Sequence, residues 1–429
     1  MRKKICFLVD SLFTVGGVQR VTAVIAKAMT EHYDVTIVTL DPPELKDTTF
    51  YDLSDAPITY RFFRYPPVPW WKRLFCKAYS ACYRKLRLPG RRASDLYARS
   101  SFPWEQRDAL SRELIHDVYD VVIGVHAPLA VRLASVRHMI LGTKTVGWIH
   151  NSFEALYGAG SPYIGPELKR HYVYQLRKLH ETVVLSHHDA QAYHTYDPCL
   201  TPRVIFNPLT LNPKKPSDGT SKQFLAVGRF TPRHKGFDLL IDAFHIFAQK
   251  NANWTLHIVG EGLEEKLYRQ KISDYRLEHR ITIHPFTHDI QSYYSQAQVY
   301  VLSSRWEGFG LVIVEAMAHG LPVVSSDLPT SLEIMGDAGI YFANGNVAEL
   351  ADCLLKATHL DWPSKSAEAL AVASRFDISS ITRQWKEIID TPLLSNIRRG
   401  VSHTPEKSHT PENHETRRGV SHTPENHEE

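Results

Sequence analysis

Short apolar runs that alternate with helical patterns, in two separate series, constrain the fold of this chain more than any other feature. The first series has strand-like runs at 5–9, 35–40, 121–125, 145–149 and 182–185, with a helical pattern at 18–29. The second has runs at 224–227, 255–259, 281–284, 299–302 and 322–325, with a helical pattern at 237–248. Strands joined by helical crossovers form parallel sheets with a right-handed connection. The pattern therefore predicts an α/β fold of two doubly wound, Rossmann-like domains that face a central cleft.

A change in composition at 212–220 separates the two series. This stretch is polar and contains proline and glycine, which is typical of a linker. We expect an N-terminal domain over 1–211 and a C-terminal domain over 221–374. The segment 391–429 contains a nine-residue block that recurs unchanged, and it has too few apolar residues to fold alone. We expect a repetitive, disordered tail there.

Composition and charge exclude several classes of protein. With 43% hydrophobic and 22% charged residues, the chain has the composition of a globular protein. A net charge of +4 is too small to indicate a nucleic-acid partner. The five cysteines include no CxxC pair, which indicates neither a zinc site nor a disulfide framework. The first apolar run ends at Asp10, too early for the core of a signal peptide. We expect a cytoplasmic location.

The turn that follows the apolar run at 299–302 carries the strongest indication of a ligand site. A helical pattern follows this turn and runs to His319. Glu307 lies in the turn and Glu315 in the helical pattern, with seven residues between them. Phe309 lies between two glycines at the start of the helix. Such a turn directs backbone N–H groups and the positive end of a helix dipole into the crevice, which favours an anion. Carboxylates beside it suit sugar hydroxyls, so we predict a nucleotide-sugar site.

Two cations follow the first strand of the second series. Arg229 comes directly after Gly228, and Lys235 ends the same loop before a helix. Arginine offers a planar fork for phosphate oxygens and lysine a mobile point charge. The chain has no two aspartates two positions apart, so the D-x-D carboxylate pair that holds a metal in some transferases is missing. We predict that fixed cations neutralise a departing diphosphate, although two ordinary surface cations would give the same pattern.

The first domain offers two weaker signals. Gly16 and Gly17 lie between a strand and a helix, where glycines allow the backbone to approach a phosphate or sugar closely. The spacing is not G-x-G-x-x-G, which disfavours nicotinamide or flavin binding. His150 ends a strand and could polarise a reacting group or bond a sugar hydroxyl. Tight packing at the glycines and a structural role for the histidine are the alternatives.

Taken in order along the chain, these motifs resemble glycosyltransferase family 4, whose members are retaining enzymes with the two-domain GT-B fold. The resemblance extends from about Lys4 to about Asp390. It rests on the segments 16–20, 148–151, 207–208, 228–229, 235–236, 259–262, 307–315 and 320–324. It implies that the segment 375–390 is a helix that crosses back and packs on the first domain. It departs from the family at 328–334, where many relatives have a glycine before the glutamate.

The resemblance also assigns roles to individual residues. It implies that His150 and Glu307 are catalytic, with both at the donor sugar. The donor-binding residues that it implies are Gly16, Gly17, Arg229, Lys235, Phe286, Phe309, Gly310, Leu311 and Glu315. Among these, Glu315 would bind the ribose, backbone contacts near Phe286 would hold the base, and the cations would bind the diphosphate. No metal ligand and no cofactor are expected.

The activity that follows is transfer of a sugar from a nucleoside-diphosphate donor, expected to be a UDP-sugar, to a glycan or lipid-linked acceptor of a bacterial surface polysaccharide. Retention without metal favours departure of the diphosphate and attack by the acceptor on the same face of the sugar. Two other classes remain open: a nucleotide-sugar-binding partner that has lost catalysis, and a sugar-nucleotide epimerase or dehydrogenase of related architecture.

The segment 70–107 indicates where the protein works. It contains ten lysines or arginines and two acidic residues, interleaved with aromatic side chains. A basic amphipathic helix with aromatic side chains suits an anionic membrane surface. We predict peripheral contact with the cytoplasmic face of the inner membrane. The alternative is a solvated helix that covers the core of the first domain.

Overall fold

The computed structural model describes residues 2–213 and 215–393. The predicted disordered tail therefore lies almost wholly outside the described residues. The described chain contains two parallel sheets, each covered by helices on both faces. We call the part built on the first sheet the first lobe and the part built on the second sheet the second lobe.

Seven parallel strands form the sheet of the first lobe. They are β1 (Lys4–Val9), β2 (Asp34–Thr39), β3 (Ile58–Phe62), β4 (Val121–Val125), β5 (Lys144–Trp148), β6 (Glu181–Val184) and β7 (Arg203–Val204). Their order in the sheet is β3-β2-β1-β4-β5-β6-β7. All five residues of β4 and of β5 are buried. Continuous burial of this kind is typical of central parallel strands covered on both faces.

Six parallel strands form the sheet of the second lobe. They are β8 (Gln223–Val227), β9 (Thr255–Val259), β10 (Ile281–His284), β11 (Val299–Leu302), β12 (Val323–Ser326) and β13 (Ile340–Phe342). Their order is β10-β9-β8-β11-β12-β13. In both sheets the order reverses beside the first strand, which creates a crevice at the carboxyl edge of the strands where ligands bind. This confirms the predicted pair of doubly wound domains.

The helices surround both sheets. In the first lobe they are α1 (Gly17–Met29), α2 (Trp70–Leu86), α3 (Arg91–Ser101), α4 (Trp104–His116), α5 (Ala127–Val136), α6 (Phe153–Tyr157), α7 (Lys169–Leu176) and α8 (His187–Tyr196). After β8 they are α9 (Phe237–Lys250), α10 (Glu265–Asp274), α11 (Ile290–Gln296), α12 (Leu311–Ala318), α13 (Pro329–Met335), α14 (Val347–Ala357), α15 (Trp362–Ala373) and α16 (Ile378–Asp390). No helix in the described part of the chain is both long enough and apolar enough to cross a bilayer.

The last helix, α16, packs on the first lobe, as the resemblance implied. Its Trp385 is fully buried, and the indole lies 4.8 Å from that of Trp148 at the end of β5. The Lys144 ammonium donates to the carbonyl of Ile388 at 2.5 Å. A cation at the carboxyl end of a helix is stabilised by the helix dipole. Because α16 follows the second lobe in the chain and contacts the first, it ties the two lobes together.

Two predictions from the sequence need correction. The strands β3, β7 and β13 were not predicted, because they are short or only partly buried edge strands that lack a continuous apolar run. The segment 70–107 is not one helix: α2 and α3 form a hairpin, and α4 begins before its end. The segment 212–220 forms no helix or strand among its described residues and most of them are exposed, while Ser217 is buried and its N–H donates to the carbonyl of His319 at 2.9 Å.

Candidate active site

The amino ends of two helices meet in the cleft between the lobes. Helix α1 begins at Gly17 and α12 at Leu311, and neither has a side-chain cap. A β-carbon added to Gly17 would lie 3.3 Å from Leu311 Cδ1, so the two helix starts are in contact. Each start presents backbone N–H groups without intrahelical partners and the positive end of a dipole. The cleft therefore has two adjacent positions that favour an anion.

Two glycines shape the turn that leads from β11 to α12. A β-carbon added to Gly308 would collide with the backbone carbonyl oxygen of His150 in the first lobe, so only glycine fits at this position. Gly310 is the N-cap of α12 with φ of +89°, a left-handed conformation that only glycine adopts without strain. The sequence thus brings the turn of the second lobe and the end of β5 in the first lobe into direct contact.

A buried ion pair lies beside this turn. The Lys235 ammonium is 2.6 Å from the carboxylate of Glu307, and Ser304 donates to the same carboxylate at 2.6 Å. Burial alone would raise the pKa of Glu307, but the Lys235 charge, His234 and the two hydrogen bonds outweigh it, and the pKa falls below its ordinary value. Glu307 is therefore ionised at neutral pH and holds Lys235 in a fixed position.

Arg229 joins the glycine loop of the first lobe from across the cleft. Its guanidinium donates to the carbonyl oxygen of Val15. Its Nη2 would lie 3.5 Å from a β-carbon on Gly16. Gly16 is held in turn by Tyr51, whose hydroxyl accepts from the Gly16 N–H at 3.1 Å. The structure thus places a fixed cation next to the amino end of α1.

Glu315 lies deeper than Glu307 and is already hydrogen-bonded. It is 2% exposed and forms an ion pair with Arg20 on α1. Thr210 donates to Oε1 at 3.2 Å, and the Tyr294 hydroxyl donates to Oε2 at 3.0 Å. A ribose that binds Glu315 would have to compete with these three donors for the carboxylate oxygens. Arg20 lies in the segment 16–20 that carries the resemblance, but neither it nor Tyr294 was predicted to contact Glu315.

His150 lies at the carboxyl end of β5 and is 5% exposed. Burial, and to a lesser degree the nearby His126, lower its pKa well below the ordinary value, so its ring is neutral at physiological pH. Its Nε2 is buried and finds no hydrogen-bond partner among the described residues. A buried ring nitrogen without a partner is unfavourable unless a ligand completes it. His150 thus carries a buried polar atom without a partner, at the strand end that meets the turn at Gly308.

The two phenylalanines have different surroundings. The Phe309 ring is 4% exposed and packs between Phe206 and Phe376, with ring centroids 6.1 and 5.8 Å away. Its side chain therefore belongs to the core between the lobes, and only its backbone can face a ligand. Phe286 follows β10, is 40% exposed, and its ring lies against His288 at 5.2 Å. The His288 ring in turn lies 5.4 Å from Phe50, the neighbour of the Tyr51 that bonds Gly16.

The part of the chain that holds most of this cluster is similar in sequence to known glycosyltransferases. A family model described as "Glycosyl transferases group 1" matches residues 221–359, which include Arg229, Lys235, Glu307 and Glu315. An uncharacterized glycosyltransferase of Haemophilus influenzae is 26% identical over 398 residues, covering 90% of this chain and 100% of that protein. These matches indicate a glycosyltransferase. The glycosyltransferase AmsD of amylovoran biosynthesis in Erwinia amylovora is 36% identical over 116 residues, which cover 27% of this chain and 32% of AmsD.

Solved glycosyltransferase structures share the fold. The structure of HepE from Anabaena in complex with UDP superposes with a TM-score of 0.67 at 20% identity, covering 90% of this chain and 99% of that one. The match extends over both lobes, so this glycosyltransferase has the GT-B fold that the resemblance implied. Within the described ranges, no three His, Cys, Asp or Glu side chains are grouped as ligands for a metal ion.

Proposed function

We propose that this glycosyltransferase transfers a sugar from a UDP-sugar, with retention and without a metal, to a glycan or lipid-linked acceptor of a bacterial surface polysaccharide. The observation that carries the proposal is the meeting of two uncapped helix starts, at Gly17 and Leu311, beside Arg229 and Lys235. Four sources of positive potential on one small volume suit a diphosphate better than any other common ligand.

The diphosphate would lie between the two lobes. Arg229 would turn its fork from the Val15 carbonyl to the phosphate oxygens, and the free N–H groups at the start of α12 would bind the same group. Lys235 is held by Glu307 on one side and can donate its remaining protons to phosphate. Charge that develops on the leaving diphosphate is thereby stabilised by groups that need little rearrangement.

The donor sugar would occupy the floor of the cleft, between Glu307 and the unpartnered Nε2 of His150. A neutral imidazole can donate to or accept from a sugar hydroxyl, and ionised Glu307 can accept from one. In this arrangement neither group is a covalent nucleophile. The acceptor hydroxyl would attack the anomeric carbon from the face that the diphosphate leaves, and its proton would pass to the departing phosphate oxygen.

The choice of nucleotide and acceptor is supported by relatives. HepE was solved with UDP, and AmsD is named for its part in making a bacterial polysaccharide. Glu315 would bind the ribose hydroxyls once Arg20 moves or shares the carboxylate. We place the reaction at the cytoplasmic face of the inner membrane, where a lipid-linked acceptor would be reached.

A thermal-shift screen with UDP, GDP and ADP, each with a chelator, tests the donor assignment. We expect UDP to raise the melting temperature and the other two to have little effect. The product formed from a UDP-sugar with a defined α-anomer should retain that configuration by NMR. An inverted anomer, or turnover that chelator abolishes and Mg²⁺ restores, would overturn retention or metal independence respectively.

A further inference from the structure

The helix α2 is an outer layer that covers little of the protein. Tyr83 is the one residue of its 17 that is buried. Its inner side packs on α3, where the Tyr79 hydroxyl donates to the carbonyl of Ala93 at 3.1 Å. It is α3 that contacts the body of the lobe, because Ser94 is hydrogen-bonded to His171 of α7 at 2.8 Å. The core of the first lobe is thus covered by α3, and the outward face of α2 needs another explanation.

Large apolar side chains cluster at the start of α2. Trp70 is 78% exposed, Phe75 71%, Leu74 62% and Trp71 49%. At 3.6 residues per turn, positions i, i+1, i+4 and i+5 span about 140° of the helix surface and so lie on one side of it. Lys72 pairs with Glu105, which brings the start of α4 alongside and adds the exposed Trp104. A contiguous apolar patch of this kind on a protein surface marks an interaction site.

The charge on the same helix is of one sign. Helix α2 contains five basic residues and no acidic one. Lys72 is ion-paired with Glu105, whereas the other four cations are exposed: Arg73, Lys77, Arg84 and Lys85. Surfaces that lie at the boundary between lipid headgroups and acyl chains are rich in tryptophan, lysine and arginine. A protein partner would need a matching acidic and apolar groove, whereas an anionic bilayer meets both requirements without specific shape.

We propose that the outward face of α2 docks this glycosyltransferase on an anionic phospholipid bilayer, with Trp70, Leu74 and Phe75 inserted among the headgroups. The chain enters α2 from β3, at the carboxyl edge of the first sheet, which is the edge that carries Gly16 and His150. Docking there would bring the cleft to the membrane surface. The docking itself does not depend on the proposed function. Only the use of docking to reach a lipid-linked acceptor rests on that function.

Flotation of the full chain with vesicles tests the proposal. We expect binding to vesicles that contain phosphatidylglycerol, little binding to pure phosphatidylcholine, and release by about 0.5 M salt, since salt screens surface charges. Trp70→Ser combined with Phe75→Ser should weaken binding at least tenfold. Arg73→Gln combined with Lys77→Gln should weaken it about 25-fold, at about fivefold for each cation lost near an anionic surface.

A matched control uses exposed leucines of the second lobe. Leu263 and Leu267 are 87% and 46% exposed, and Leu263→Ser with Leu267→Ser should leave vesicle binding unchanged. All variants should keep the wild-type thermal unfolding and the wild-type turnover of UDP-sugar with a soluble acceptor, which separates this proposal from the donor chemistry. No binding to anionic vesicles at low salt, or equal binding by the α2 variants and the control, would overturn it. So would sedimentation showing a dimer that the Trp70 and Phe75 substitutions dissociate, because the face would then be covered by a second copy.

Discussion

The Arg20 guanidinium on α1 of the first lobe is ion-paired with the buried carboxylate of Glu315 on α12 of the second lobe. The pair therefore spans the cleft directly below the two helix starts. A carboxylate that is 2% exposed and carries a charge needs partners, and Arg20 supplies the only cationic one recorded for it within the described residues. Closure of the lobes and the state of the Glu315 carboxylate, the proposed ribose ligand, are thus coupled through one contact.

This pair predicts a stability effect that depends on both partners. Arg20→Met should lower the free energy of unfolding by about 2–3 kcal/mol, less than the full cost of breaking a buried pair because Arg20 keeps a quarter of its side chain exposed. Arg20→Met combined with Glu315→Gln should recover part of the loss, since the charge left behind is removed. Urea unfolding of the single and double variants measures this. Strictly additive losses would show that the two residues are not coupled.

Substitution of the two glutamates should separate donor binding from chemistry. Glu315→Gln should raise the KM for donor about tenfold with a smaller change in kcat, because ribose lies far from the bond that breaks. Glu307→Gln should lower kcat more than it raises KM. Steady-state kinetics measure kcat and KM separately for both variants, with Glu333→Gln as a control. The Glu333 carboxylate instead caps α8, accepting from the His188 N–H at 2.7 Å. Equal effects on kcat and KM in all three would contradict the assignment.

The Lys235–Glu307 pair predicts a dependence of stability on acid. The pKa of Glu307 is lowered in the folded chain, so folding is favoured above the ordinary value of 4.5. This contribution should be fully present above pH 4.5 and should be lost as the pH falls through the lower folded pKa. Thermal unfolding of the wild type and of Glu307→Gln between pH 7 and pH 3 should show a difference that shrinks in acid. A difference that grows as the pH falls would reverse the sign of the argument.

His150 should affect function and stability in opposite directions. His150→Phe removes a buried nitrogen without a partner, so the variant should be as stable as the wild type or more stable. Its kcat should fall about 100-fold, because a polar contact to the sugar is lost. The contribution of His150 to the stability of the wild type also depends on pH. Because the pKa of His150 is lowered in the folded chain, this contribution is retained above the ordinary value of 6.5 and decreases as the pH falls below it. Unchanged kcat in His150→Phe would show that His150 is structural.

Much of this architecture could be predicted from the sequence, because buried parallel strands are continuous apolar runs. The strand at 121–125 and that at 255–259 were predicted with the bounds of β4 and β9. The edge strand β3 was missed, since four of its five residues are only partly buried or exposed. The charged residues of the cleft were predicted because they follow the carboxyl ends of parallel strands, where ligands bind.

Other features of the site depend on long-range contacts that the local pattern cannot contain. The pairing of Glu315 with Arg20 joins positions 295 residues apart. The burial of the Phe309 ring depends on Phe206 and Phe376, which come from distant parts of the chain. Likewise, composition predicted a basic aromatic helix, but only the structure separates α3, which has three buried residues in 11, from α2, which has one in 17.

Calorimetric titration of UDP into the wild type, Arg229→Ala and Arg233→Ala, all in excess EDTA, tests the central claim most directly. Arg229 contacts the glycine loop of the opposite lobe, whereas Arg233 is an exposed arginine of the same loop and serves as the matched control. We predict that the wild type binds UDP in EDTA, that Arg229→Ala binds about 10- to 100-fold more weakly, as expected for a lost charge-assisted bond, and that Arg233→Ala binds as the wild type does. Loss of wild-type binding in EDTA, or an Arg229→Ala variant that binds UDP normally, would contradict the account.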